Sequence, residues 1–352
     1  HERRQKTTKV LKKGKIHLFP LVSFLLVLAL ASAVAVLCMG AVRISFADTF
    51  RLLQLLIGGS DIPDDLTVPY RIVWLLRAPR VILGFAAGCG LAVCGTVMQA
   101  AVQNPMADPY ILGISAGATF GATVSIFLRV GTISGLAAFL GAMLACILVL
   151  AMAARGGRTT PVKLVLAGMV ANALFQAFSN FIISIAGDAQ GNMTIKFWTM
   201  GSLAGASWDN ILLPIMVVTA GFVFFLTQYR PLNMLLIGEE AAATLGIHLS
   251  FYRTVYMAVI SLIIGVLVAN CGMIGFCGLL IPHISRAVSG PNHQRLMPIA
   301  AMTGGIFMIW VDAFARSLIP NTELPVGIFT ALIGAPAFVY ILLRRNYNFY
   351  VR

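Results

Sequence analysis

Long apolar runs broken by short polar ones set the pattern of this 352-residue chain. Stretches without Asp, Glu, Lys or Arg cover residues 18–42, 81–102, 110–128, 131–154, 164–187, 211–229, 254–284 and 324–343. Each meets or exceeds the roughly 17 to 25 residues that a transmembrane helix needs. The stretch at 254–284 is too long for one helix and carries a glycine-rich break, NCGMIGFCG, so it divides into a span ending near Cys271 and a shorter one running toward Arg286. Residues 297–317 are apolar apart from Asp312 and Arg316. The pattern predicts an all-α membrane protein of ten transmembrane helices.

Composition agrees: 59% of residues are hydrophobic, 11% are charged and the mean hydropathy is +0.91, whereas about a quarter of a soluble domain is charged. An even number of spans puts both termini on one side, and both are basic. Counted over the segments 1–17, 99–109, 155–163, 229–253, 285–296 and 344–352, that side holds 17 of the 25 Lys and Arg. By the positive-inside rule it is the cytoplasm. Asp48, Asp61, Asp64, Asp65, Asp188, Asp209 and Glu323 fall outside. The net charge of +13 then anchors the chain at the membrane surface and does not signal nucleic-acid binding. A cleaved signal peptide is the competing reading of the first span, because LASAVA resembles a cleavage site, but the apolar run exceeds the usual roughly 7 to 15 residues of a signal core.

Enzyme signatures are missing. No G-x-x-x-x-G-K-[ST] phosphate loop and no H-E-x-x-H occurs, so no ATPase or zinc protease resides in this chain. Gly113-Ile114-Ser115-Ala116-Gly117 matches the G-x-S-x-G elbow, which requires a strand-to-helix turn; here it opens an apolar helix. Gly113, Gly117 and Gly121, like Gly84 and Gly88, recur at four-residue spacing, the pattern of close helix packing in lipid. The cysteines, Cys38, Cys89, Cys94, Cys146, Cys271 and Cys277, lie in or beside spans without metal-ligand spacing and read as packing residues. No metal site and no catalytic residue is expected.

One interruption stands out. AAVQNPMADPYILGISAGA, residues 100–118, sets a polar, proline-bearing hinge between two spans. Irregular backbone at membrane depth is tolerated only where protein buries it or where it lines a water-filled path.

The runs RAPRVILGFAAGCGLAVCGTVMQAAVQNPMADPYILGISAGA, RPLNMLLIGEEAAATLGI, GMIGFCGLLIPHISR, VDAFAR and ELPVGIFTALIGAPAFVYIL resemble, in order and over nearly the whole chain, the FecCD-type permeases, membrane subunits of ABC importers for ferric siderophores, haem and cobalamin. The resemblance implies a single transmembrane permease domain over 1–352, with a basic cytoplasmic tail at 1–17 and a cytoplasmic coupling segment at 229–253. It implies a homodimer or a pair with a homologous permease, two ATPase subunits that carry the ATP and magnesium, and an extracytoplasmic substrate-binding protein, in the bacterial cytoplasmic (inner) membrane. No cofactor is expected in this chain. Ferric siderophore leads as cargo only because it is the commonest in the family.

The resemblance also implies roles. Asn104, Pro105 and Met106, with Thr160 and Pro161 in the next inner loop, are expected to narrow the cytoplasmic end of the path. Between the sixth and seventh spans, Pro231 and Gly246 are expected to bound a short helix, and Gly238, Glu239, Glu240, Ala241, Leu245 and Gly246 to couple it to an ATPase. Arg77, Arg80 and Arg316 are expected to receive acidic residues of the binding protein, since Arg binds carboxylate bidentately; Arg316 held by Asp312 is the competing reading. Met169, Asn172, Gln176 and Asn180 form a mildly polar stripe that suits either the path or helix packing. A secondary transporter or channel is the alternative class, but it needs ionisable groups at mid-membrane. Only Asp312 qualifies, with Arg316 one turn away. An intramembrane hydrolase using Ser115 and His283 is weaker still.

Overall fold

The structure, a computed structural model, describes residues 18–128, 134–238, 242, 244, 247–319 and 322–344. Among these the chain is helices and turns, with one isolated β-bridge between Ile319 and Thr322. In chain order the helices are α1 (Leu18–Cys38), α2 (Phe46–Gly58), the long α3 (Asp64–Ala101), α4 (Ile114–Phe127), α5 (Ser134–Ala154), α6 (Pro161–Ala186), α7 (Ala189–Thr199), α8 (Leu212–Thr227), α9 (Tyr229–Ile237), α10 (Leu249–Cys271), α11 (Cys277–Ser289), α12 (His293–Ala315) and α13 (Val326–Arg344).

All ten expected segments contain helix. Six of them, α1, α3, α5, α6, α10 and α12, are each long and apolar enough to cross a membrane, and the number is seven if α8 and α9, bent by 63°, are counted as one span. The others are shorter. At about 1.5 Å per residue the 13 residues of α11 reach about 20 Å, less than the roughly 30 Å hydrocarbon layer. Helix α4 starts at Ile114, later than the apolar run, because Pro109–Leu112 forms a 3-10 turn and Gly113 takes a left-handed conformation at φ 68°.

Helix α3 is the axis. Eighty-three per cent of its most apolar 18 residues are buried, against 17% for α6, so α3 from Ala78 to Ala101 is packed on all sides while α6 lies at the periphery. At about 1.5 Å per residue its 38 residues span about 57 Å and overshoot the hydrocarbon layer. Its first half is irregular, with a π-helical stretch at Arg71–Arg77. Beyond that, small residues let neighbours approach closely: a methyl group on Gly88 would land on the Gly304 carbonyl of α12, and one on Gly95 on the Gly278 carbonyl of α11. Gly117 and Gly121 of α4 stand in the same way against Gly141 and Ala137 of α5. The expected packing glycines thus do pack, and Gly113, which also makes the turn, stands close against Gly168, Ala171 and Asn172 of α6.

Two helices were not foreseen. Helix α2 is capped by Ser45, whose hydroxyl accepts from the Asp48 N–H, and stopped by left-handed Gly59. Helix α7 is capped by Asp188, which accepts from the N–H groups of Gln190 and Gly191. Both are too short and too polar to register as spans.

Candidate functional site

At the C-terminal end of α3 the chain leaves the helix through Gln103, a residue with a side chain held in the left-handed region at φ 50°, a conformation that costs about 1–2 kcal/mol. The hinge that follows is defined by hydrogen bonds. Asn104 Oδ1 accepts from the Met106 N–H at 2.9 Å, the Asn104 N–H donates to the Gln99 carbonyl at 3.1 Å, and Asp108 Oδ1 caps the following turn through the Tyr110 N–H at 2.9 Å. Asn104 and Met106 remain exposed. Burial pushes the Asp108 carboxyl up to about 6, against the smaller opposing effect of the Tyr110 N–H.

This hinge is held from several sides. His283 Nε2 of α11 lies 2.7 Å from the Pro105 carbonyl, and Arg286 Nη2 donates to Gln99 Oε1 at 3.1 Å. Gln103 Nε2 donates to the Leu235 carbonyl of α9 at 2.7 Å. Arg253, fully buried on α10, donates through Nε to the Ala101 carbonyl at 3.0 Å and through Nη1 to the Thr159 carbonyl at 3.3 Å. One guanidinium therefore ties the end of α3 to the loop before α6. Thr160 and Pro161 act in that loop as helix cap and first-turn residue of α6, Thr160 Oγ1 accepting from the Lys163 N–H at 3.4 Å. The neighbouring Thr159 is the buried member, its N–H donating to Ser250 Oγ at 2.8 Å. Arg253, Gln99, Gln103 and Arg286 were not singled out in the sequence; the only available signal was polar side chains at the edges of apolar runs.

Of the coupling segment, residues 229–238, 242, 244 and 247–253 are described. Helix α9 is closed by Gly238, at φ 110°, and Ala242 and Thr244 beyond it are again helical; the expected stop at Gly246 lies outside the described residues. Glu239, Glu240, Ala241, Leu245 and Gly246 lie outside the described residues.

At the opposite end of the bundle the three arginines are not presented to solvent. Arg77, Arg80 and Arg316 are 6%, 7% and 4% exposed. Arg77 donates to the Leu37 carbonyl at 2.7 Å and also bonds the Val42 carbonyl, and Arg316 Nη2 donates to the Val36 carbonyl at 3.0 Å. Both thus cap the C-terminal carbonyls of α1, where cations are favoured. Arg80 is clamped between two carboxylates, Asp312 Oδ1 at 2.8 Å from Nε and Glu323 Oε2 at 2.8 Å from Nη1. Arg316 Nε is 3.5 Å from Asp312 Oδ2, so the expected pair exists but Arg80 holds Asp312 more closely. Three arginines against two carboxylates leave one positive charge. The expectation of arginines open for docking is corrected to this extent: in the isolated chain their guanidinium groups already hold α1, α12 and the lead-in to α13.

On α6, Met169, Asn172, Gln176 and Asn180 all lie on the exposed face, with Gln176 Nε2 3.4 Å from Asn180 Oδ1, while Ala167, Ala171, Phe175 and Ser179 face the core. The stripe therefore does not serve packing within the chain.

A cavity of about 550 Å³ sits at the break between α10 and α11, lined by residues that include Tyr110, Ser115, Thr199, Met273, Phe276 and Leu332. The break is ordered: Phe276 takes φ 65° and Tyr110 Oη accepts from the Ile274 N–H at 3.2 Å. The sequence marked this stretch only as an interruption.

Residues 25–344 match the FecCD transport family. The chain belongs to that family. This FecCD chain is 41% identical over 277 residues to the cobalamin import system permease protein of Halobacterium salinarum, covering 78% of this chain and 74% of the relative. It is 32% identical over 320 residues to the iron(3+)-hydroxamate import system permease protein of Bacillus subtilis, covering 88% and 92%. A solved inward-facing structure of a metal-chelate type ABC transporter superposes with a TM-score of 0.82 at 29% identity, covering 93% of this chain and 99% of that one. Family and apolar helices together make it a multi-pass inner-membrane protein.

Proposed function

We propose that the chain is the membrane-spanning subunit of an ATP-driven importer for a metal chelate. It takes cargo from an extracytoplasmic binding protein and releases it to the cytoplasm. The observation that carries the reading is the family match over residues 25–344, supported by the two relatives named for import of cobalamin and of iron(3+)-hydroxamate. On this reading ten spans leave both termini in the cytoplasm, and a second copy or a homologous permease covers the exposed face of α6. Two separate ATPase subunits hydrolyse ATP and engage the segment from Gly238 to Gly246.

Each site follows from this arrangement. Exposed Asn104 and Met106, on a hinge braced by α9, α10 and α11, close the inner end of the path. The stripe Met169, Asn172, Gln176 and Asn180 lines it, offering weak polar contacts and no charge to a bulky chelate. A binding-protein carboxylate docks by displacing Glu323 from Arg80 and by meeting the surplus positive charge of the arginine cluster.

Ferric siderophore is the cargo put forward, with haem and cobalamin as the competitors. Reconstituted importer and cognate binding protein, assayed with labelled ferric hydroxamate, haem and cobalamin, decide among them: the true cargo accumulates in an ATP-dependent way and the others do not. Exclusive accumulation of cobalamin or haem overturns the siderophore reading.

A further inference from the structure

We infer that Arg253 is the positioning residue that holds two loops, 102–108 and 155–160, in register, so that they close the end of the path as one gate. The inference rests on the gate proposed at Asn104 and Met106. It adds the group that fixes the spacing between that hinge and the loop before α6.

Arg253 is fully buried on α10, and a buried charge is costly unless it is hydrogen-bonded. Its bonds leave α10 for two other elements: Nε donates to the Ala101 carbonyl at 3.0 Å and Nη1 to the Thr159 carbonyl at 3.3 Å. Ala101 is the last residue of α3, where carbonyls lack helical partners and favour a cation, and Asn104 follows three residues later. Thr159 immediately precedes Thr160, the cap of α6. The rigid, planar guanidinium fork therefore reaches both loops at once and sets the distance between them.

Neighbouring residues of α10 complete the clamp on the second loop. The Thr159 N–H donates to Ser250 Oγ at 2.8 Å, and Thr159 Oγ1 lies 3.3 Å from Thr254 Oγ1. Just before Thr159, Gly156 and Gly157 take φ 85° and 84°, a backbone that glycine adopts without strain. A cavity of about 580 Å³ lies beside them, lined by residues that include Arg158, Thr159, His248, Ser250 and Thr254. The loop thus has a pivot and room to swing, and its bonds to Ser250, Arg253 and Thr254 keep it seated. Loosening them separates the loop from the hinge and widens the end of the path.

The test uses proteoliposomes holding the complete importer. They are loaded through it with labelled ferric hydroxamate, haem or cobalamin, whichever the parental importer accumulates, and back-leak is timed once the ATP inside is exhausted. Ser250→Ala with Thr254→Val leaves the buried charge in place and frees Thr159 from two of its three holds. Leak should rise about fivefold, the equilibrium factor of one net hydrogen bond of about 1 kcal/mol, while ATPase assembly and hydrolysis persist. Arg253→Lys, a point donor that cannot serve both carbonyls as the fork does, should raise leak at least as much. Parental leak in the double variant overturns the inference, whether or not Arg253→Lys assembles. Leak that rises only together with lost assembly and hydrolysis also overturns it, because that is a general folding defect. Failure of the underlying gate reading shows separately, as parental leak after Asn104→Ala with Met106→Ala.

Discussion

Replacing Asp312 by Asn isolates the energetic role of the outer cluster. The side chain is 1% exposed, 2.8 Å from Arg80 Nε and 3.5 Å from Arg316 Nε. Asn fills nearly the same volume, so the change is electrostatic and leaves no cavity. Three buried arginines then face Glu323 alone, and the surplus of the cluster rises from one positive charge to two. Removing one partner of a buried pair costs about 3–5 kcal/mol. The exposed pair Arg51–Asp65 is a control within the same protein: its distance is 2.9 Å, but its side chains are 56% and 60% exposed, and such a pair is worth about 0.2–1 kcal/mol. At about 2 °C per kcal/mol for a chain of this size, the unfolding midpoint of detergent-purified protein should fall by roughly 5–10 °C for Asp312→Asn and by roughly 2 °C or less for Asp65→Asn. Adding Arg80→Met to Asp312→Asn should recover part of the loss, because it removes a stranded charge. Equal midpoints for the two single variants would refute the reasoning.

Three further outcomes are expected. Gly88→Leu and Gly117→Leu each drive a side chain into a neighbouring backbone carbonyl and should cost about 3 kcal/mol or more, seen as lost monodisperse protein on size-exclusion chromatography, while Gly205→Ala, with nothing within 4 Å, should be neutral. Asp108 binds its proton more tightly in the folded chain, at about 6, than in the unfolded one at the ordinary 3.8, so its contribution favours folding below about pH 4, declines as pH rises to about 6 and is flat above, by at most about 3 kcal/mol. Asp108→Asn keeps an acceptor for the Tyr110 N–H and should flatten that slope in midpoint-versus-pH measurements; an unchanged slope counts against it. Asn104→Ala with Met106→Ala should raise cargo leak or uncoupled ATP hydrolysis in reconstituted vesicles, and unchanged coupling argues against an inner gate there.

The membrane class and the helical segments were legible because a bilayer demands long uncharged runs, and those runs are contiguous in the sequence. The packing role of Gly88 and Gly117 was legible for the same reason, as a four-residue period on one helix. What escaped depends on residues far apart in the chain. Arg253 was not singled out in the sequence, because only the fold sets Ala101 and Thr159 beside it. Arg80 and Glu323 are separated by 243 positions, and no spacing rule pairs them. Helix α9 closes at Gly238, which adopts φ 110°, while Ala242 and Thr244 beyond it are again helical; helix formers alone did not show that break. The polar stripe on α6 was visible, but only burial of the opposite face decided that it points away from this chain's own core.

The central claim is that this chain moves a metal chelate inward at the expense of ATP hydrolysed by a partner. The direct measurement is uptake of labelled chelate into proteoliposomes holding the permease with its ATPase, with binding protein outside and ATP inside. The account predicts accumulation that needs both the ATPase and the binding protein and is stopped by vanadate. Accumulation by the permease alone, driven by an imposed proton or sodium gradient and indifferent to vanadate, would contradict it and establish a secondary transporter.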